Sequence, residues 1–156
     1  MRPLSLVHSG WMLWLIVCVA VPAPAQERNK AHELTVATYN VENMFDVFDD
    51  PYTEDEGTRV KPRLEIEQVA KVIAAIDADV VLLQEIENEG VVTAMVEEML
   101  AGRGYEYVVA LPSNSGRGMT IGMISRVPVV IVTSHRFLDL TLEGEAQTWR
   151  FGRDLL

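Results

Sequence analysis

The sequence of 156 residues contains one cysteine, Cys18, and three histidines. A single cysteine excludes an intramolecular disulfide framework and any zinc site built from several cysteines. Basic residues are also scarce, with 13 lysines and arginines against 23 aspartates and glutamates and a formal net charge of −10. Such a chain offers no large basic surface for sequence-independent nucleic-acid binding, so any role on nucleic acid must depend on a local site or a metal ion.

Several catalytic motifs are absent as well. The sequence has no Gly-x-Ser-x-Gly nucleophile elbow, no Walker loop and no zinc-ligand spacing. Internal repeats and low-complexity tracts are also missing. The composition is 49% hydrophobic and 23% charged, which is typical of a globular protein and excludes general disorder.

The amino-terminal segment has the pattern of a secretory signal. Arg2 precedes an apolar run over residues 11–21, and Ala23 and Ala25 match the small-residue cleavage pattern. A membrane anchor is the alternative, but the apolar run is well short of the roughly 20 residues that a spanning helix needs. We therefore expect export to the periplasm or the extracellular space, cleavage after Ala25 and no stable membrane insertion. The predicted organisation is a signal peptide over 1–25, a polar leader over 26–33 and a domain over 34–156.

Hydrophobic periodicity in this domain alternates between strand and helix. Period-2 and continuous apolar runs predict strands, and apolar residues at i, i+3 and i+7 predict helices. The turn-forming residues 113–118 predict a hairpin between two late strands. The fold class is therefore α/β, with a mixed sheet that receives antiparallel strands late in the chain. The predicted order is strand 34–39, helix from Pro62, strand 79–84, helix 92–100, and strands 105–111, 119–125, 129–133 and 149–156.

An acidic loop separates the first strand from the first helix. Residues 42–56 contain seven carboxylates and no lysine or arginine. A solvated surface loop is one interpretation and a calcium-binding loop is the other. Pro51 interrupts the carboxylates and their spacing fits no EF-hand.

Two oxygen-bearing side chains directly follow predicted strands. Asn40 follows the first strand and Glu85 follows the second. If these strands are parallel neighbours, their carboxyl ends meet at one edge of the sheet, where ligands gather in α/β proteins. An amide oxygen and a carboxylate make a partial shell for Mg²⁺, which needs few protein ligands. The alternative is that Asn40 caps a turn and Glu85 is an exposed acid.

The segments around these residues resemble a known family. Residues 38–46, Thr-Tyr-Asn-Val-Glu-Asn-Met-Phe-Asp, and residues 77–88, Asp-Ala-Asp-Val-Val-Leu-Leu-Gln-Glu-Ile-Glu-Asn, are similar to the first two motifs of the endonuclease/exonuclease/phosphatase superfamily. The resemblance continues through Gly104-Tyr105, Arg117-Gly118 and residues 150–156. It implies a four-layer α/β/β/α sandwich with mixed sheets, of which this chain would be the amino-terminal half.

The resemblance also implies an activity and a set of site residues. The activity is hydrolysis of phosphodiester or phosphomonoester bonds with Mg²⁺, or with Mn²⁺ or Ca²⁺ in its place. Glu85 would bind the metal, and Asn40 would hold the metal-bound water or the phosphate. Arg117, Arg150 and Arg153 would contact phosphate, with a surface charge or salt bridge as the alternative for each. The substrate would be a nucleic acid, nucleotide, phospholipid or sugar phosphate.

Two later family motifs do not occur in this sequence. They are the Asp-x-Asn motif, which orients the attacking water, and the closing Asp-His. None of the histidines, at positions 8, 32 and 135, occupies the place of the family histidine. We therefore expect an amino-terminal portion of the domain that is inactive and poorly folded alone. The alternatives are a non-catalytic truncated product and an acidic metal-binding secreted module, and the oligomeric state stays open.

Overall fold

The computed structural model describes residues 33–152 as one mixed sheet with two helices and a short two-stranded ribbon. The predicted signal peptide, nearly all of the leader and Arg153 lie outside the described residues. None of the helices within 33–152 has the length and apolarity needed to cross a membrane. The elements are β1 (Val36–Met44), α1 (Arg63–Ile76), β2 (Val80–Ile86), α2 (Glu89–Met99), β3 (Tyr107–Ala110), β4 (Thr120–Ser125), β5 (Leu140–Thr141) and β6 (Thr148–Trp149).

The main sheet has the strand order β1-β2-β4-β3. β1 and β2 are parallel neighbours connected through α1, which is the condition for the ends of these two strands to lie side by side. β4 is antiparallel to both β2 and β3, which confirms the predicted hairpin and the mixed sheet. β2 therefore lies inside the sheet, and its carboxyl end lies between β1 and the beginning of β4.

Both helices pack on one face of this sheet. Val81 and Leu83 of β2 are fully buried there, together with Ile73 of α1 and Val92 of α2. These residues follow the period-2 and helical spacings of the sequence, so burial of the apolar stripes holds the helices in place. α2 begins where the Asn88 side chain accepts a hydrogen bond from the backbone N–H of Val91 at 2.9 Å, an ordinary N-cap.

The opposite face of the sheet is less well covered. Thr38, Leu82, Met123 and Val109 form one row across the four strands. Thr38 is exposed and the other three are only half-buried. Val36, at the start of β1, is 55% exposed. Residues 33–152 therefore form an α/β structure with one mixed four-stranded sheet, two helices and the separate two-stranded ribbon, and the four-layer arrangement is not confirmed among them.

Three strand predictions need correction. Residues 129–133 form no strand, because the run pairs with no neighbouring strand in the described structure and Val130 is 94% exposed. The strand predicted over 149–156 is the two-residue β6 within the described residues. β1 and β2 were predicted to end before Asn40 and Glu85, but they continue past these residues to Met44 and Ile86.

The amino end of β2 is held by a cluster around Arg126. The Arg126 guanidinium lies 4.6 Å from the centre of the Tyr105 ring and donates to Asp77 Oδ1 at 2.6 Å. Its Nε donates to the Arg103 carbonyl at 2.8 Å. The Tyr105 hydroxyl donates to the carbonyl of Ala78 at 2.8 Å in the buried interior. Charge-assisted and buried hydrogen bonds thus fix the turn that enters β2.

Candidate active site

Three residues with left-handed backbone conformation lie at the carboxyl ends of β1 and β2. Glu85 has φ 64°, Glu42 has φ 54° and Asn43 has φ 56°. Residues with a side chain avoid this region because Cβ crowds the backbone, at a cost of roughly 1–2 kcal/mol each. Such strain collects at functional sites, where the surrounding structure holds it in place. The sheet edge predicted to carry a site is therefore also locally strained.

Side chains on both flanks hold the irregularity in β1. The ladder with β2 shifts register between Asn40 and Met44. Asn40 Oδ1 accepts a hydrogen bond from the Glu42 backbone N–H at 2.9 Å, and Lys61 Nζ donates to the Glu42 carbonyl at 2.9 Å. Asn40 therefore makes the turn contact described above as the alternative to a metal site. An amide oxygen has two lone pairs, so the Asn40 oxygen can accept a second bond beside the one from Glu42.

Glu85 lies at the matching irregularity in β2. Asn40 pairs with Gln84 in the parallel ladder, and the β2–β4 register shifts between Gln84 and Ile86. Glu85 is half-buried at the residue where the ladder breaks. A bulge of this kind re-aims a side chain and is common beside active sites. The structure thus brings Asn40 and Glu85 to neighbouring positions on one sheet edge, as expected.

A second carboxylate follows Glu85 and has its own network. Glu87 Oε2 accepts a hydrogen bond from the Asp46 backbone N–H at 2.6 Å, and Asn88 Nδ2 donates to Asp46 Oδ2 at 3.2 Å. Partial burial raises the pKa of Glu87, and the neighbouring charges of Asp46, Asp55 and Asp50 raise it further, against the lowering effect of the Asp46 N–H. The network joins β2 to the acidic loop.

Sequence reasoning missed this network as a feature of the site. Asp46, Glu87 and Asn88 stand within the two family-like segments, but their mutual contact spans more than 40 residues of chain. The two family-like segments could have marked these residues as candidates. The sequence does not indicate which of the polar side chains contact each other.

The predicted arginines have different surroundings. Arg117 is exposed and lines a small cavity of about 180 Å³ with Asn43 and Arg59, beside the β1 irregularity. Arg150 donates from Nε to Asp139 Oδ1 at 2.7 Å, the salt bridge named as its alternative role. Arg117 is therefore the arginine that lies near the candidate site, and Arg153 lies outside the described residues.

The donor set at this edge suits a metal that uses few protein ligands. Within residues 33–152, no three acidic, histidine or cysteine side chains converge as a metal-binding group. This result gives no support to a calcium site in the acidic loop. Mg²⁺ retains several waters and binds through one or two carboxylates. The Glu85 carboxylate fits that requirement, and Asn40, which pairs with the preceding residue Gln84, offers an amide oxygen on the neighbouring strand.

Comparison with known proteins identifies the family. No curated protein and no solved structure gives a significant match to the chain. A sequence profile described as endonuclease/exonuclease/phosphatase family matches residues 35–156, which is most of the chain. Hydrolysis of phosphate esters is the activity that this match suggests, and the family is generally metal-dependent. The match includes β1, β2 and the strained edge between them, and the chain therefore belongs to the endonuclease/exonuclease/phosphatase family.

Proposed function

We propose that this protein is an exported phosphoesterase or nuclease that uses Mg²⁺ or a similar divalent cation. The observation that carries the proposal is the left-handed Glu85 at the break in the central strand. Glu85 is only half-buried, so it stays accessible at the point where the ladder between β2 and β4 breaks. The left-handed conformation of Glu85 would direct its carboxylate toward the cation, and this role would account for its cost.

The residues at this edge have separable roles in such a reaction. Glu85 would hold the cation, which when bound neutralises charge on the phosphoryl oxygens and on the leaving group. The Asn40 amide, fixed by its bond to the Glu42 N–H, would orient the phosphate or a water molecule. Arg117, beside the β1 irregularity, would contribute a second positive charge to the phosphate.

A complete reaction also needs a group that accepts a proton from the attacking water. We propose that this group belongs to a second sheet packed on the exposed face of the first, as in a four-layer sandwich. The half-buried apolar row of Leu82, Met123 and Val109 supports this arrangement, since apolar sheet faces are normally covered.

Replacing the proposed ligand tests the metal site. Glu85→Gln removes the charge and keeps the shape, so we expect Mg²⁺ or Mn²⁺ binding to weaken at least tenfold in calorimetry, about 1.4 kcal/mol. Hydrolysis of bis-p-nitrophenyl phosphate by any active form should fall in parallel. Glu97→Gln is the matched control, because Glu97 is an exposed acid on α2. Equal metal binding by wild type and Glu85→Gln would refute the assignment.

Export is the second part of the proposal. The support is the apolar run followed by Ala23 and Ala25, the pattern that signal peptidase recognises. Amino-terminal sequencing of the exported product should then begin at Gln26. Recovery of Met1 in a membrane fraction would contradict export with cleavage.

A further inference from the structure

A buried lysine lies beside the candidate active site and has no part in the roles proposed so far. The side chain of Lys61 is only 7% exposed. Removing an ammonium group from water is costly unless the group gains hydrogen bonds or an opposite charge in the protein. The burial of Lys61 therefore has to be explained by what its ammonium group contacts.

Lys61 contacts the irregular segment of β1 with both its side chain and its backbone. Its Nζ donates to the Glu42 carbonyl at 2.9 Å, and its backbone N–H donates to the Phe45 carbonyl at 2.9 Å. Between these two carbonyls lies Asn43, which shares the left-handed conformation of Glu42. Such a conformation persists only where the surrounding structure holds it. A hydrogen bond from a charged donor is stronger than a neutral one, so Lys61 is well suited to hold this segment.

The segment held by Lys61 in turn fixes Asn40. The backbone N–H of Glu42 donates to Asn40 Oδ1 at 2.9 Å, so the same residue accepts from Lys61 and donates to Asn40. Asn40 is exposed, and an exposed side chain changes rotamer freely unless a bond restrains it. A rotation of the backbone at Glu42 would move the N–H away from the amide. Asn40 and Lys61 also line one cavity of about 350 Å³ between β1 and α1.

The ammonium group of Lys61 is itself held from α1. Glu65 Oε2, in the first turn of α1, lies 3.7 Å from Lys61 Nζ. Arg59 donates from one nitrogen to both oxygens of the Glu65 carboxylate, at 3.0 and 2.8 Å. The opposite charge of Glu65 thus has a fixed place. A continuous set of contacts therefore leads from α1 through Lys61 and Glu42 to Asn40.

We propose that Lys61 is a positioning residue for phosphate binding, which holds the left-handed backbone at Glu42 and thereby the Asn40 amide. The inference rests on the proposed function, in which Asn40 orients the phosphate. Lys61 acts through Glu42 and Asn40 and not by its own contact with the phosphate. Because its contacts described above are with residues 42–45 and α1, the cation at Glu85 on β2 is bound independently of it.

Binding of inorganic phosphate to the full chain in the presence of Mg²⁺ tests this role. Lys61→Met removes the ammonium group and keeps most of the apolar stem. We expect phosphate binding, followed by NMR titration, to weaken about three- to tenfold, the effect of losing one hydrogen bond. Mg²⁺ affinity in calorimetry should stay unchanged, and the Glu42 amide should exchange its hydrogen faster. Lys71→Met is the matched control, because it removes the same charge from an exposed lysine of α1.

The double variant distinguishes positioning from a general effect of charge. If Lys61 acts through Asn40, Lys61→Met should weaken phosphate binding no further in the Asn40→Ala background, because coupled residues are not additive. Equal weakening by Lys61→Met in both backgrounds would overturn the proposal. Weakening by Lys71→Met as large as that by Lys61→Met would overturn it as well.

Hydrogen exchange separates a failure of this proposal from a failure of the proposed function. Unchanged exchange at the Glu42 amide in folded Lys61→Met refutes the positioning role and leaves the metal site untouched. Faster exchange, together with a wild type that binds no phosphate at millimolar concentration with Mg²⁺, refutes the proposed function and leaves Lys61 a structural residue. If Lys61→Met does not fold, the wild type carries the test. Phosphate should then shift the NMR resonance of the Lys61 ammonium group, and an unshifted resonance would overturn the proposal.

Discussion

Glu85 combines an unfavourable backbone conformation with the carboxylate that we propose as the metal ligand. At φ 64°, glycine would be tolerated and alanine would keep the Cβ crowding without the carboxylate. We expect Glu85→Gly to be more stable than Glu85→Ala by about 1 kcal/mol, measured as the free energy of unfolding in urea. Both variants should lose divalent-metal binding. Greater stability of the alanine variant would show that φ at this residue is not left-handed in solution.

The sequence indicates the candidate site only by its place at the carboxyl ends of two strands. Asn40 and Glu85 were identified because each follows an apolar strand-like run, and their strands are indeed parallel neighbours. The left-handed conformations were not predictable, because glutamate has no preference for that region. The contact between the Asp46 backbone N–H and the Glu87 carboxylate was equally hidden, since it joins two segments far apart in sequence.

The pairing of β2 with β4 depends on one glycine. A Cβ at Gly122 would lie 2.4 Å from Ile86 Cδ1 and 3.0 Å from the Val109 carbonyl oxygen. The backbone of β3 cannot move away without breaking its ladder with β4. Gly122→Ala should therefore lower the free energy of unfolding by about 1–3 kcal/mol, as for overpacked cores.

Thermal or urea denaturation measures this effect. Gly57→Ala is the matched control, because nothing lies within 4 Å of a Cβ at Gly57. A loss of stability in Gly57→Ala as large as that in Gly122→Ala would contradict the crowding argument.

Prediction of the elements succeeded where a local pattern and burial agreed. α1 shows the i, i+3, i+7 spacing and packs Val69 and Ile73 into the core. The apolar run at residues 129–133 consists of β-branched residues, which favour strands. It nevertheless has no partner strand in the described structure and is irregular. Pairing partners are set by topology, which propensity does not encode.

The charge of the whole molecule affects how anionic substrates approach it. With a formal net charge of −10, the chain repels phosphate esters at long range. At 0.1 M salt this repulsion is largely screened beyond a distance of about 10 Å. We expect the KM for an anionic phosphodiester to fall as KCl rises at fixed Mg²⁺. A KM that rises with salt would indicate a local cationic surface that dominates substrate approach.

The Arg126 cluster at the amino end of β2 has a consequence for how substitutions are tolerated. The two ends of β2 differ in their surroundings. Charged and aromatic contacts stabilise the amino end near Tyr105 and Asp77, and the carboxyl end has a strained backbone at Glu85. Changes near Arg126 are therefore expected to alter folding without changing substrate preference. Changes near Glu85 are expected to alter chemistry at little cost in stability. Laboratory evolution toward a new substrate would accordingly collect its substitutions at the carboxyl end of the strand and leave the amino end untouched.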